Sequence, residues 1–266
     1  MASPEPRIYV EVMSSVSEPT GGPLAAAAAR TVAAGTARLL AAWCTGSPLP
    51  EAPDRRCDGV ADFAARRARV SQSMFFTDRT TAALMELGDG DPGVLDAVEH
   101  MEMIYDGANA YVRYEDSWTG ISLVGPDGPL GPNDPLWPVD ALFGASDDAV
   151  EIGPEAVRAV PATRYRLTID LGRADAALPA GVSVPAGPYR ALSRLPAEVW
   201  LDAEGVARRI SVNADPSAAA DKQIWSIVEL WDFGVPASIT PPAPDEILSP
   251  EEASRRAEGD PPQRNA

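Results

Sequence analysis

The stretch Pro196–Val212, PAEVWLDAEGVARRISV, reads as two short strands that fold back on each other. Asp202-Ala-Glu-Gly205 lies at the reversal, where Gly205 supplies the positive φ that a tight turn needs. Residues 101–115, MEMIYDGANAYVRYE, repeat the design around Asp106-Gly107, a strong signal for a hairpin. The sequence therefore predicts a chain built from antiparallel hairpins.

Five further segments have the composition of strands: residues 8–12, 36–44, 57–70, 163–171 and 224–233. The second and third would each form one strand, joined as a hairpin by a loop rich in proline. In the fourth, TRYRLTIDL, polar and apolar residues alternate, so Tyr165, Leu167 and Ile169 are expected on one face of the sheet. The last, IWSIVELWDF, is apolar on both faces.

Two helices are predicted with clear ends. The first covers GGPLAAAAARTVAAG, where Pro23 suits the first turn and Gly35 suits the end. A shorter helix, TTAALMELG, is expected within an insertion at residues 78–92.

The other clear helix covers NDPLWPVDALFGAS, with Asn133 or Asp134 as its cap. It places Leu136, Val139 and Phe143 on one apolar face. Strands and helices do not alternate along the chain as they do in parallel sheets. The pattern indicates an α+β fold, an antiparallel sheet with helices on one face.

The composition is that of an acidic globular protein. The 266 residues include 39 acidic and 22 basic side chains, for a net charge of −17, and 45% are hydrophobic. Such a surface repels polyanions, so nucleic acid is excluded as a partner. No apolar run approaches the roughly 18 residues of a transmembrane segment. The start, MASPEPRIYVEVMSSV, lacks the basic and apolar parts of a signal peptide, which predicts a cytoplasmic location.

Three parts are predicted along the chain. Residues 1–21 form an N-terminal extension, and residues 22–242 form the folded domain. Residues 243–266 form an acidic, Pro-rich tail that is expected to be disordered, because it has few apolar side chains to bury.

Four segments together resemble the actinobacterial lipoproteins of the LppX/LprG kind, which belong with the lipoprotein carriers LolA and LolB. The segments are DPLWPVDALFGA, VRAVPATRYRLTIDL, LPAEVWLDAEGVARRISV and VELWDFGVPASITPP, in this order and at matching spacing. The likeness runs from about Pro23 to Pro242. The export signal and the anchoring N-terminal cysteine of those proteins have no counterpart in this sequence, and the insertion at residues 78–92 and the acidic tail also depart from the pattern.

The resemblance implies a LolA-like fold, in which a strongly curved antiparallel half-barrel has helices covering its concave face. It also implies an apolar cavity between sheet and helices that holds acyl chains. The protein would then bind a lipid or another hydrophobic small molecule without catalysing a reaction. A location in the cell envelope follows from the same resemblance, as the alternative to the cytoplasm.

The apolar side chains expected to line this cavity come from the predicted strands, the second helix and their neighbours. They are Phe63, Leu136, Val139, Phe143, Tyr165, Leu167, Ile169, Trp200 and Trp225. The alternative function is an interaction scaffold with the same fold and a filled core, which binds a protein partner through its acidic surface or a sheet edge. A peripheral contact with a membrane also stays open.

Motifs for catalysis are missing from the sequence. His100 is the only histidine, and a Gly-x-Ser-x-Gly elbow and a phosphate-binding glycine loop are both absent. Two cysteines without nearby histidines do not make a structural zinc site. We therefore expect a protein that is not an enzyme and holds no cofactor or metal.

For three arginines and for two cysteines, the sequence leaves two interpretations of their role open. Arg66, Arg67 and Arg69 pair with acidic side chains or bind anionic lipid headgroups, with Arg67 and Arg69 on one face of a strand and Arg66 on the other. Cys44 and Cys57 are expected near each other at the mouth of a hairpin, either bonded as a disulfide or as two unrelated core residues.

Overall fold

A twelve-stranded sheet forms the frame of the protein in the computed structural model. The structure describes residues 24–46, 53–74, 100–114, 116–125, 128–129, 134–178, 184 and 192–257. The strands are β1 (Thr36–Thr45), β2 (Arg55–Asp62), β3 (Arg67–Met74), β4 (His100–Asp106), β5 (Asn109–Tyr114), β6 (Ser117–Ser122), β7 (Val124–Gly125), β8 (Gly128–Pro129), β9 (Val150–Pro154), β10 (Thr163–Asp170), β11 (Arg194–Leu201), β12 (Ala207–Asn213), β13 (Ile224–Trp231) and β14 (Ile247–Leu248). The helices are α1 (Ala25–Ala33), α2 (Trp137–Ala141), α3 (Leu171–Ala177) and α4 (Pro250–Ala257), and 3₁₀ turns lie at Leu142–Gly144, Ala220–Lys222 and Pro244–Glu246.

The strand order shows how the two halves of the chain join. It runs β14-β6-β5-β4-β3-β2-β1-β13-β12-β11-β10-β9, while β7 and β8 form a separate ribbon. Strand β1 pairs with β2 on one side and with β13 on the other, so Ala41 lies between Cys57 and Val228. Every neighbouring pair in the large sheet is antiparallel except β14 with β6. The predicted α+β class, a curved antiparallel half-barrel with helices on one face, is confirmed.

The two predicted hairpins are present with the expected turn chemistry. Strands β11 and β12 reverse through residues 202–206, where Gly205 has a φ of 74°. The Asp202 carboxylate accepts hydrogen bonds from the backbone N–H groups of Glu204 and Val206, at 3.1 and 2.9 Å. Gly107, with a φ of 59°, turns β4 into β5.

The segment predicted as one strand at residues 57–70 is two strands, and that prediction is wrong. Strands β2 and β3 pair with each other around a turn at residues 63–66. Arg66 closes this turn with a φ of 54°, and the Asp62 carboxylate accepts a hydrogen bond from Ala65 N at 2.9 Å. A positive φ at arginine has no local signal in the sequence, since glycine or asparagine usually fills such a position.

Gly59 in β2 lies where the backbones of two neighbouring strands come very close to each other. A Cβ atom on Gly59 would lie 2.0 Å from the carbonyl oxygen of Arg69 and 2.8 Å from Cα of Val70. Only glycine fits there, as is typical of strand positions where another backbone comes close. Gly59 thus permits the tight β2–β3 packing within the curved sheet.

Helices α1, α2 and α3 form a layer on one face of the sheet, over β10, β12 and β13, whereas α4 contacts β14. The predicted second helix is confirmed, as α2 followed by the 3₁₀ turn Leu142–Gly144. The Asp134 carboxylate accepts a hydrogen bond from Leu136 N at 2.8 Å, as the predicted cap does. Indole Nε1 of Trp137 donates to Ser226 Oγ at 2.8 Å and fixes α2 on β13.

The predicted tail has regular structure in its first half, which corrects the expectation of disorder for residues 244–257. Strand β14 pairs in parallel with β6, with Ile247 opposite Trp118. Helix α4 begins after Ser249, whose hydroxyl and backbone N–H are both hydrogen-bonded with Glu252. Residues 258–266, the predicted strand at residues 8–12 and the predicted helix in the insertion lie outside the described residues, and the domain boundaries stay predictions.

Candidate functional site

The concave face of β2–β5 carries side chains in three rows that cross the strands. The rows are Cys57, Gln72 and Met101; Gly59, Val70, Met103 and Val112; and Ala61, Ala68, Tyr105 and Ala110. We call these residues the concave floor. Its described members are buried, apart from Met101, Val112 and Gly59, which are partly exposed. Small side chains alternate with flexible ones there, and the polar residues are Gln72 and the Tyr105 phenol.

The other half of the same face is filled by the helix layer. Large aliphatic side chains of the sheet, such as Ile169, Ile210 and Val228, are buried with Trp137 and Leu142 in one core. A cavity of about 10 Å³ lies between α1, α2 and the β2–β3 turn, lined by Val32, Phe63, Arg66, Asp134, Leu136, Val139 and Asp140. Such a volume suits one water molecule. An acyl chain does not fit beneath α2.

The structure brings seven of the nine predicted cavity residues to the concave side. Phe63, Leu136 and Val139 line the small cavity. The others belong to the same core: Leu167 and Ile169 are buried, and Phe143 and Tyr165 are half-buried against it. All seven therefore lie in or beside the filled half, and a role in ligand binding stays a prediction for them.

Trp200 and Trp225 lie on the opposite face of the sheet, so their assignment to the cavity is wrong. Trp200 is buried under Val157 and Ala162. The Arg164 and Arg209 guanidinium groups each lie 5.0 Å from its ring centroid. The neighbours of Trp200 in β11, Val199 and Leu201, are buried as well, because both faces of this strand are covered.

Trp225 packs on that outer face with a second, smaller cluster of Ala42, Cys44 and Ile227. Since Cys57 belongs to the concave floor, the two cysteines lie on opposite faces of the sheet. Cys57 pairs with Ala41, which places Cys44 about 10 Å further along the strand. Both thiols are free, so the disulfide alternative is excluded and the expected proximity at the mouth of a hairpin is wrong.

A buried ion pair holds α2 to the β2–β3 turn. Both terminal nitrogens of Arg66 donate to the Asp140 carboxylate, at 2.9 and 2.6 Å. The side chains of Arg66 and Asp140 are 19% and 6% exposed, so this pair is largely desolvated. Next to it, burial raises the pKa of Asp134 to about 6, helped by the Asp140 charge and opposed by the Leu136 N–H and by Arg66.

The other two arginines of the predicted headgroup cluster also pair with acids. Arg67 binds Asp106 at 2.8 Å, and Arg69 binds Glu102, both on the outer face of the sheet. They share a face as predicted. Structural pairing therefore accounts for these side chains, and the headgroup interpretation is not supported by their contacts.

The structure adds a residue that the sequence analysis missed. Arg55 begins β2 on the concave side, opposite Trp43 of β1, and its guanidinium lies 3.5 Å from the centroid of the Trp43 ring. Burial lowers the pKa of Arg55. It raises the pKa of the neighbouring Cys57 thiol to about 12, and it also raises the pKa of the Tyr105 phenol. The strand alternation that links Arg55 to Cys57 is the signal that could have placed it on this face.

Within the described ranges, histidine, cysteine, aspartate and glutamate side chains form no group of three that could hold a metal ion. In the same part of the chain, every helix is too short or too polar to span a membrane.

Comparisons with known proteins give matches among solved structures. No family model matches the sequence, and no curated protein matches it either. The lipoprotein LppX of Mycobacterium tuberculosis is 12% identical with a TM-score of 0.46, over 84% of this chain and 100% of its own. LprF from Mycobacterium bovis is 14% identical with a TM-score of 0.47, over 91% and 100%. A LolA superfamily protein from Nitrosomonas europaea is 10% identical with a TM-score of 0.27, over 84% and 94%. The chain is thus similar to proteins of the LppX type and of the LolA superfamily, the group that its sequence resembles.

Proposed function

We propose that this protein is a non-enzymatic binding protein that holds an apolar ligand, a lipid or acyl chain, against the concave floor. The resemblance of the sequence to lipoprotein carriers motivates the proposal. The chemistry of the floor supports it, because apolar and flexible side chains predominate where a hydrophobic ligand needs contact area.

The observation that carries the proposal is the contrast between the two halves of the concave face. The half over β10, β12 and β13 is filled by α1, α2 and α3, whereas five of the eleven residues of the floor on β2–β5 are small. Ala61, Ala68 and Ala110 form one row of it. These alanines are fully buried in the same core as the helix layer. Their short side chains take up little of the space above the sheet, and methionines such as Met103 adapt to ligands of different shape.

The second candidate is the interaction scaffold. The tight packing beneath α2, with its 10 Å³ cavity, favours it, because a filled core is what a scaffold needs. The carrier requires space for a ligand above the floor, whereas the scaffold has packed side chains there. A substitution on the floor distinguishes the two functions.

The variant Ala68→Phe tests the proposal. The new ring would occupy the space above the floor, so we expect apolar ligand binding to fall at least tenfold, measured by displacement of a fluorescent fatty acid. Ala68 is fully buried in the main core, so a loss of stability below about 1 kcal/mol is expected only if what covers it can yield, as a ligand site requires. The matched control is Ser71→Phe in the same strand, which faces outward and should leave binding unchanged.

A different result would favour the scaffold. In a filled core, Ala68→Phe costs about 1–3 kcal/mol through overpacking, and the parent protein binds no fatty acid. That combination would overturn the proposed function.

The compartment stays a prediction, cytoplasmic from the sequence and the cell envelope from the resemblance. The two cysteines are free and buried on opposite faces, so they do not decide between a reducing and an oxidising compartment.

A further inference from the structure

We propose that strand β9 is a docking site for a short extended segment of another protein, in which basic and apolar residues alternate. The segment would add to the sheet as a further strand beside β9. This inference goes beyond the proposed function, because it concerns the edge of the sheet and does not depend on what the concave floor holds.

Strand β9 forms one edge of the large sheet. It pairs with β10 on one side, and among the described residues no strand pairs with its other side. Its backbone N–H and C=O groups that point away from β10 therefore lack a partner strand. An edge of this kind accepts an extended peptide through main-chain hydrogen bonds, while the side chains along it select the sequence of the peptide.

Two apolar side chains of β9 are exposed at alternate positions. Val150 is 59% exposed and Ile152 is 45% exposed, and among the large apolar side chains of the described residues only Ile121 is comparable. Val150 pairs with Arg166, which lies on the outer face of the sheet, and Ile152 follows two residues later on the same face. Exposed apolar residues along an unpaired edge are typical of a surface that another chain covers.

The length of this edge is limited at its C-terminal end. The pairing with β10 shifts register at Ile152, and Gly153 has a φ of 136°. Pro154 has no N–H group to donate. A bulge and a proline are features that restrict pairing at sheet edges, so the site admits a short segment and resists open-ended association of long strands.

The charges beside this edge favour a basic partner. Glu151 lies between the two apolar residues, is exposed and forms no ion pair with another described residue. Asp147 and Asp148, just before β9, are exposed as well, and Asp147 is paired with Arg173 at 3.3 Å. The net charge of the chain is −17, so a second copy would bring its own acidic edge against this one.

The two faces of β9 define the pattern that the partner needs. Val150 and Ile152 offer apolar contact on the outer face, whereas Glu151 pairs with Tyr165 of β10 and lies on the concave side. A strand added beside β9 alternates in the same way, and its side chains meet those of β9 on each face. Apolar residues of the partner would therefore flank a lysine or arginine that meets Glu151.

Binding of a labelled peptide to the full chain tests the proposal. The probe is the alternating peptide Ser-Val-Lys-Val-Arg-Val-Ser with a fluorescein label, measured by anisotropy. It should bind at least tenfold tighter than the scrambled peptide Ser-Lys-Arg-Val-Val-Val-Ser and than the acidic peptide Ser-Val-Glu-Val-Glu-Val-Ser. Glu151→Gln should reduce the preference for the basic peptide over the acidic one.

The protein variant with the largest expected effect is Ile152→Lys, which should weaken binding of the alternating peptide at least tenfold. It removes apolar contact and places a positive charge beside a basic peptide. The matched control is Ile121→Lys in β6, the same change at an equally exposed isoleucine, 45% in both cases, and it should leave binding unchanged. Both variants should fold, since substitutions at exposed positions usually change stability little.

Several results would overturn the proposal. They are the absence of binding, equal affinities for the alternating and scrambled peptides, and equal effects of Ile152→Lys and Ile121→Lys. A dimer seen by sedimentation that Ile152→Lys dissociates would assign the edge to a second copy instead. Nuclear Overhauser contacts between β9 and residues 8–12 without peptide would assign it to the chain's own N-terminal segment. The proposed function survives each of these results, because fatty-acid binding is measured on the floor.

Discussion

Replacing Gly59 with alanine should lower the free energy of unfolding by at least about 3 kcal/mol, the upper range for overpacking. The new Cβ would lie 2.0 Å from the Arg69 carbonyl oxygen, a main-chain atom paired within the sheet. Neither strand can retreat without breaking its pairing on the other side, because Gly59 also pairs with Leu39 and Val70 also pairs with Met103. For a domain of this size the thermal midpoint should fall by about 6–12 °C.

Gly120 provides the matched control for Gly59. It also lies in a strand, β6, but a Cβ there would meet its nearest neighbours at 3.8 Å, in ordinary contact. Gly120→Ala should be neutral or stabilise by up to about 1 kcal/mol, since alanine loses less backbone entropy on folding. Equal midpoints for the two variants would show that the close β2–β3 approach is absent in solution.

Replacing Arg66 with methionine should cost about 3–5 kcal/mol at pH 7, because it leaves the buried Asp140 charge without its cation. Arg69→Met is the control, since its pair with Glu102 is partly exposed and should be worth less than about 1 kcal/mol. The double variant Arg66→Met/Asp140→Leu should recover most of the loss. Urea denaturation measures all three.

The cost of Arg66→Met should also depend on pH. Burial already raises the pKa of Asp134 to about 6 against the lowering effects of the Leu136 N–H and of Arg66, so removing Arg66 raises this pKa further. A carboxyl group with a raised pKa in the folded state leaves stability intact below its unfolded pKa near 4 and destabilises as pH rises through the folded value. The penalty should therefore be smaller at pH 4 than at pH 7. A loss equal to that of Arg69→Met at both pH values would contradict the buried pair.

Local chemistry was sufficient to predict several elements of the fold. Gly205 and Gly107 mark turns whose positive φ the neighbouring residues cannot adopt cheaply. The alternation around Leu167 predicted which side chains of β10 face the core, because a strand buried on one face has a period of two. Asp134 indicated the start of α2, because an aspartate carboxylate can accept a hydrogen bond from the backbone N–H groups at the beginning of a helix.

Tertiary contacts account for what the sequence did not show. The turn at Arg66 depends on Asp140, a residue 74 positions away, so no local pattern marks it. The sequence does not show on which face of the sheet Trp200 lies. Both faces of β11 are buried, so its residues do not alternate between polar and apolar. In the tail, Ser249 and Glu252 form a capping box, a local signal for a helix that the acidic, Pro-rich composition of the segment obscures.

The position of Arg55 was missed for a related reason. Residues 55 and 56 are both arginines at the start of a strand, and only the pairing of β2 with β1 decides which one faces Trp43. The arginines on the outer face, such as Arg69, are more conspicuous in the sequence because they belong to a run. Their acidic partners come from β4, which the sequence alone does not place beside them.

Methyl NMR on the protein with bound laurate tests the concave floor most directly as the ligand site. Met103 and Ile104 are adjacent in β4 and lie on opposite faces of the sheet, Met103 on the floor and Ile104 on the outer side, and both are buried. We predict nuclear Overhauser contacts between the laurate chain and the Met103 methyl group, and none to Ile104. Contacts to Ile104 without Met103, or a bound laurate that contacts neither methyl group, would contradict the account.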